Sequence, residues 1–206
     1  MSMSRFKGVK GTIILIVLII MIVSYYFYLS NKTAANKEES TQVSVVQSLL
    51  LENLEMKYPP SPKEVVKYYC EITKAFYNET YTDEELTELA MKIRELYDDE
   101  LLANNSKEQY LIDIKTDIQS FKQKKCTVSS YTTSASTDVA YFKADGYDFA
   151  KLYCMFTLRQ GTEFKYTTEQ FLLRKDTEGH WKIYGWELAD PNEEQSTEKE
   201  VQKKGQ

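Results

Sequence analysis

The first apolar run of the chain is also its longest. No residue from Gly11 to Asn31 is charged, and 13–23 is wholly aliphatic apart from Met21. As a helix rising about 1.5 Å per residue, positions 11–29 span about 28 Å, close to the roughly 30 Å hydrocarbon core of a bilayer. A helix also satisfies its own backbone polar groups, as lipid requires. The pattern therefore predicts a transmembrane helix over 11–29. Tyr25, Tyr26, Phe27 and Tyr28 follow it and suit a headgroup boundary. Arg5, Lys7 and Lys10 precede it, which places the N-terminus in the cytoplasm and the rest outside. A cleaved signal peptide is the rival reading, since a basic start and an apolar core are both present. Aromatic residues occupy the stretch where small residues should mark cleavage, so the residues favour an uncleaved anchor.

Residues 30–41 are polar and read as a spacer. Over 43–56 the apolar positions Val45, Val46, Leu49, Leu50, Leu54 and Met56 predict a short lead-in helix, which Tyr58-Pro59-Pro60 ends. Three helices are then announced by their caps. Ser61-Pro62-Lys63-Glu64, Thr82-Asp83-Glu84-Glu85 and Ser106-Lys107-Glu108-Gln109 each offer a hydroxyl N-cap with Glu or Gln three residues on. Each is followed by apolar residues at helical spacing: Val65, Val66, Tyr69, Ile72 and Phe76; then Leu86, Leu89, Ala90, Ile93 and Leu96; then Tyr110, Leu111, Ile114, Ile118 and Phe121. After Lys125 the period falls to two. Leu152, Cys154, Phe156 and Leu158 alternate with Tyr153, Met155, Thr157 and Arg159. Turns at Gly161 and at Asp176-Thr177-Glu178-Gly179 divide an antiparallel meander through 164–174 and 181–188, with weaker strands at 128–133 and 139–144 before it. The tail, 190–206, lacks core residues and is expected to be disordered. Helical stripes need an apolar surface, and the sheet is the only one large enough. The expected architecture is therefore α+β: a curled, mostly antiparallel sheet of four to five strands around three helices, forming a cone-like roll over 61–189.

Charge and cysteine content narrow this picture. The first 30 residues hold three basic side chains and no acid, leaving 23 basic and 31 acidic residues beyond them, a net of −8. Such an exterior does not make a nucleic-acid groove, whose affinity rests on Lys and Arg. Cys70, Cys126 and Cys154 form neither a disulfide framework nor a zinc pattern. Strand positions make Cys126 with Cys154 the pair to consider, against three small buried thiols.

The closing segment Phe171-Leu172-Leu173-Arg174-Lys175-Asp176, Gly179 and Trp181-Lys182-Ile183 resembles the final hairpin of the NTF2-like fold. More narrowly, Tyr58-Pro59-Pro60-Ser61-Pro62-Lys63-Glu64-Val65-Val66, Leu96-Tyr97-Asp98-Asp99-Glu100-Leu101-Leu102-Ala103 and Trp181-Lys182-Ile183-Tyr184-Gly185-Trp186 resemble an uncharacterised family of single-pass membrane proteins from clostridial bacteria. The resemblance covers roughly 50–188. It implies an NTF2-like cone outside the plasma membrane of a Gram-positive cell, and it carries no catalytic residue across.

The chemistry is sparse. His180, the sole histidine, is expected in a solvated turn, so no second histidine is left to act as a base. Asp113 and Asp117 lie four apart on one helix and read as a solvated face. Asp98-Asp99-Glu100 lacks the ligand spacing of a calcium site. Asn31, Asn78 and Asn104 sit in N-x-Ser/Thr patterns that matter only where the source glycosylates them. No catalytic set, metal site or cofactor is expected, and the protein is read as a non-enzyme. Sixteen tyrosines and two tryptophans are the outstanding feature. With Leu152, Cys154, Phe156, Leu158, Trp181 and Ile183 turned to the helices, Tyr153, Met155, Arg159, Tyr184 and Trp186 face outward as interface candidates. The expected function is an anchored binding or assembly module, its partners the lipid bilayer through 11–29 and a protein or second copy through the open sheet face, with no nucleic acid. The alternatives are a subunit of a conjugation or secretion machine, and a hydrophobic-ligand carrier or enzyme that uses the cone.

Overall fold

A computed structural model describes residues 44–189. The chain divides into two units, Met1–Gln42 and Val43–Gln206, and the described residues all fall in the second. The expected cytoplasmic tail, the anchor over 11–29, the spacer and the tail at 190–206 lie outside them.

Among the described residues five helices precede the sheet: α1 (Val45–Leu51), α2 (Pro62–Asn78), α3 (Asp83–Glu95), α4 (Asp99–Asn104) and α5 (Lys107–Gln123). Their starts are chemically explicit. Ser61 accepts from the Glu64 N–H, Thr82 from that of Glu85 and Ser106 from that of Gln109, each satisfying a donor the first turn leaves open. At Thr82 the box is complete, because Glu85 reaches back to the Thr82 N–H at 2.8 Å. Helix α4 has no apolar stripe that would announce it. It starts because the Asp98 carboxylate accepts from the Glu100 N–H.

The strands are β1 (Cys126–Thr133), β2 (Ala140–Ala144), β3 (Tyr147–Gln160), β4 (Glu163–Lys175) and β5 (Trp181–Leu188). They form one antiparallel sheet ordered β1-β3-β4-β5. β2 pairs with the first part of β3, opposite Tyr147 to Lys151, and β1 with the last part, opposite Cys154 to Gln160. The short strands thus share one long edge. Asp145 and Gly146 close the β2–β3 hairpin, both at positive φ (50° and 82°), the backbone a tight two-residue turn requires. At the other edge, the Asp98 N–H donates to the Ile183 carbonyl and the Ile183 N–H to the Leu96 carbonyl, so the loop before α4 covers the middle of β5.

Alternation puts Ala150, Leu152, Cys154 and Phe156 of β3, with Phe171 and Leu173 of β4 and Ile183 of β5, against Val65, Val66, Ile72 and Phe76 of α2, all buried. Each large side chain withdrawn from water contributes about 1.5–3 kcal/mol. Asn78 fastens α2 to the sheet by clasping both backbone groups of Val128, at 2.7 and 2.9 Å. The β1 irregularity falls directly after Val128. The Asn78 amide is committed to this clasp.

Three expectations are corrected. The first is the architecture of a transmembrane helix leading into a cone. Among the described residues no helix is long and apolar enough to cross a membrane. The longest, α2 and α5, have 17 residues each and carry charge along their length. The fold is α+β with a five-stranded sheet that stays open, because β1 and β5 end the strand order without pairing. The second is Cys126 with Cys154. Register sets Cys126 opposite Gln160 and Thr133 opposite Cys154, placing the two cysteines at opposite ends of the β1–β3 pairing. Cys154 Sγ instead lies 3.1 Å from Cys70 Sγ, the two fully buried free thiols sharing a hydrogen bond and no disulfide, while Cys126 is half-buried. The third is Trp186. A bulge sets Leu172 opposite Gly185 and Leu173 opposite Ile183, leaving Tyr184 as an extra residue. One extra residue reverses the alternation beyond it. Tyr184 stays outward, but Trp186 turns inward.

Candidate functional site

The inner sheet face is not covered evenly. Where α2 crosses it, the packing is solid. Toward α5 it opens, because α5 buries only Tyr110 and Ile118 and rests lightly on its neighbours. A cavity of about 400 Å³ lies there. α2 contributes Tyr69, Thr73 and Tyr77, four residues apart on one face. Tyr97 enters from the loop after α3, and α5 supplies Tyr110, Asp113, Asp117 and Phe121. Phe156, Thr167, Glu169 and Trp186 form the sheet side. The aromatic groups hold one another in place. Trp186 lies 5.7 Å from Tyr69 and 5.5 Å from Tyr97 between ring centres, Tyr97 meets Tyr110 edge-on at 6.0 Å, and Tyr77 stacks on Phe121 at 4.1 Å. A second cavity of about 310 Å³, bordered by Lys57, Glu64, Lys67 and Glu71, is lined by charges of both signs. Glu64 and Lys67 there lie 3.8 Å apart.

Glu169 is the chemical centre of the larger cavity. It lies on β4, a central strand, opposite Cys154 and in inward phase with Phe171 and Leu173. Its Oε2 is buried and has no hydrogen-bond partner. Burial pushes its carboxyl from the ordinary 4.5 up to about 7, because removal from water penalises the charged form. Among the described residues the Tyr97 hydroxyl is the other buried side-chain oxygen without a partner in hydrogen-bonding geometry, on a residue only 2% exposed. Burial holds the Tyr69, Tyr77 and Tyr97 phenols well above their ordinary range and pushes Tyr110 up to about 12. All four are neutral O–H groups at physiological pH.

A family model described as a domain of unknown function (DUF6715) matches residues 1–186. The chain belongs to that family. The match runs through Trp186, so every residue lining the cavity falls within it. No curated protein matches the chain.

The residues singled out from sequence lie mostly elsewhere in this DUF6715 member. Tyr153, Met155 and Arg159 line the outer face of β3. The Tyr153 hydroxyl bonds Gln170 at 2.8 Å, Met155 is exposed, and Arg159 Nε donates to the Gly161 carbonyl. Tyr184 lies at the other end of that face, edge-on to Phe149 at 5.7 Å and beneath the Arg174 guanidinium. Of the five, Trp186 alone reaches the cavity. His180 packs on Tyr58 at 4.4 Å in its turn, outside the cavity. Asp113 and Asp117 are exposed, yet they border the cavity mouth instead of lying opposite the packed face. Asp98 and Glu100 are not a cation site, because Arg174 occupies both: Nη2 and Nε reach Asp98 at 2.6 and 2.9 Å, and Nη1 reaches Glu100 at 2.7 Å.

Glu169 escaped sequence reasoning although a signal existed. Counting back by twos from Phe171 and Leu173 gives Glu169, an acid on the buried phase of a central strand. Tyr97 and Tyr110 carry no such signal, since both suit an ordinary helix stripe or loop.

Proposed function

We propose that the domain is a small-molecule binding module whose ligand occupies the cavity between α2, α5 and the inner sheet face. The observation that carries this reading is the unpartnered Glu169 carboxylate within an aromatic-lined cavity of about 400 Å³. A buried polar group without a partner costs about 1–3 kcal/mol, and more when charged. A ligand that supplies the missing donor removes that cost. The cavity falls in the size range of small-molecule sites, and its lining has their composition, mostly apolar with a few convergent polar groups. Among the described residues Glu169 is hydrogen-bonded to no second titratable group, so the reading is capture and not turnover.

The test is a thermal-shift screen of the full chain against small amines, alcohols, acids and neutral aromatics. Binders should raise the unfolding midpoint of the native protein and fail to do so in Thr167→Phe, which fills the cavity. Shifts that survive that substitution, or a screen without any, would refute the proposal.

A second reading, assembly through the outer sheet face, rests on the exposure of Met155, Phe164 and Tyr166. Sedimentation of the native chain against a Phe164→Ser, Tyr166→Ser double variant tests it. A single species unchanged by concentration or by the substitutions removes this reading.

A further inference from the structure

The cavity also carries information about the charge of what it holds. Its lining includes three acids, Glu169, Asp113 and Asp117, and no lysine, arginine or histidine. The nearest cation recorded against the aromatic wall is Arg94, whose guanidinium carbon lies 5.7 Å from the Tyr110 ring centre. It does not line the cavity, and its Nη1 is committed to the Asn105 carbonyl at 2.8 Å. Nothing in the lining therefore compensates the carboxylates.

Three ligand charges can be compared. An anion would meet the phenol hydroxyls, which donate well, but it would also approach Glu169 with Asp113 and Asp117 at the mouth. Like charges in a partly desolvated site repel strongly. A neutral donor would bond Glu169 and leave its charge uncompensated. A cation supplies the compensating charge, a protonated amine adds the donor as well, and the faces of Tyr69, Tyr97 and Trp186 add the attraction of aromatic rings for cations. A metal ion is a poorer occupant, since among the described residues no three His, Cys, Asp or Glu side chains converge as ligands. Rings that box a cavity suit a larger, weakly hydrated charge.

Building on the small-molecule reading above, we infer that the ligand is a small organic cation, an amine or quaternary ammonium, its head against Glu169 and its body among Tyr69, Tyr97, Tyr110 and Trp186. The groups facing Glu169 are the Tyr69 and Tyr77 phenols and the Cys70 thiol from α2, Cys154 from β3, Tyr110, Asp113 and Asp117 from α5, and Tyr97 from its loop. With the phenols neutral, the charge that changes near pH 7 is that of Glu169. A cation of fixed charge binds the ionised form, so its affinity should rise about ten-fold from pH 6 to pH 8.

Calorimetry on the full chain with matched probes decides the matter. Choline and 3,3-dimethyl-1-butanol share a shape and differ in charge, as do phenethylammonium and phenethyl alcohol. The cations should bind at least ten-fold more tightly than their neutral partners. Glu169→Gln should erase that advantage and the pH dependence together, while circular dichroism verifies that the variant is folded. Neutral partners binding as tightly as the cations would overturn the cation assignment and leave the small-molecule reading standing. If none of the four probes binds, the cation assignment fails here, and the wider thermal-shift screen judges the small-molecule reading separately. A cation preference untouched by Glu169→Gln would overturn the role given to Glu169.

Discussion

Asp98 and Glu169 are both acids withdrawn from water, and their surroundings are opposite. Asp98 is 4% exposed and fully engaged. Arg174 holds it by two hydrogen bonds, and one of its oxygens also caps α4. Arg174 in turn lies over the Tyr147 and Tyr184 rings, at 4.7 and 4.9 Å, and bonds Glu100. Glu169 has a buried oxygen with no partner, in a cavity walled largely by phenols. The Asp98 cluster ties the helical half to the outer side of β4 and leaves no valence for a ligand. The unpartnered Glu169 oxygen costs stability instead of adding to it. Burial of an acid is thus a poor guide to function, and the guide is what the acid is left without.

The largest effect that would break this contrast is expected at Arg174. Arg174→Met strands Asp98 as a buried, unpaired charge and should cost about 3–5 kcal/mol in urea denaturation, whereas Arg174→Lys, which keeps the charge without the fork, should cost clearly less. A loss below about 1 kcal/mol for Arg174→Met would show that the Asp98 cluster is not structural.

Glu169→Gln should act with the opposite sign. Its folded carboxyl titrates near 7 against an ordinary 4.5, so the unfolded chain releases the proton first as pH rises. The resulting penalty on folding is absent below about pH 4.5, grows up to about pH 7 and is complete above it. Glu169→Gln should therefore stabilise the protein at pH 8, by up to about 3 kcal/mol, and have little effect at pH 4. A variant less stable than the native chain at pH 8 would mean that Glu169 has a partner after all.

Tyr97→Phe removes the other unpartnered buried polar atom. It should leave stability unchanged or raise it by at most about 1 kcal/mol, while the edge-on contact with Tyr110 persists. Smallest of all is Tyr184→Phe, which deletes the donor to Glu100 at 2.9 Å on an exposed face. The unfolding midpoint should hardly move. Glu100, kept below the ordinary carboxylate range by Arg174 and then by Tyr184, should titrate higher in an NMR experiment.

Much of the fold was legible in the residues. Three N-caps and five strands occur where spacing places them, because a cap and an apolar repeat are properties of one segment read alone. The lead-in helix instead ends at Leu51, well before Tyr58-Pro59-Pro60. The inward phase of β3, through Leu152, Cys154 and Phe156, follows from the same alternation. Helix α4 was invisible, since its six residues bury nothing and depend on Asp98 being held by Arg174 on a distant strand. Of the interface candidates only Trp186 belongs to the site, and alternation puts it on the wrong face; Asp113 and Asp117 read as a solvated helix face. Glu169 goes unmarked, and Tyr97 and Tyr110 read as ordinary packing, because their significance lies in a space that no single segment encloses.

The sequence by itself therefore determined the α+β class, the caps that start the helices and the two-residue rhythm of the strands. Tertiary structure decided the rest. A bulge at Tyr184 turned Trp186 inward, register brought Cys154 to Cys70 instead of Cys126, and the light packing of α5 left an acid on the sheet floor uncovered. Periodicity is local and survives in one dimension. Whether a carboxylate is paired, and whether a cavity stands open above it, depends on elements far apart in sequence that meet only once the chain has folded.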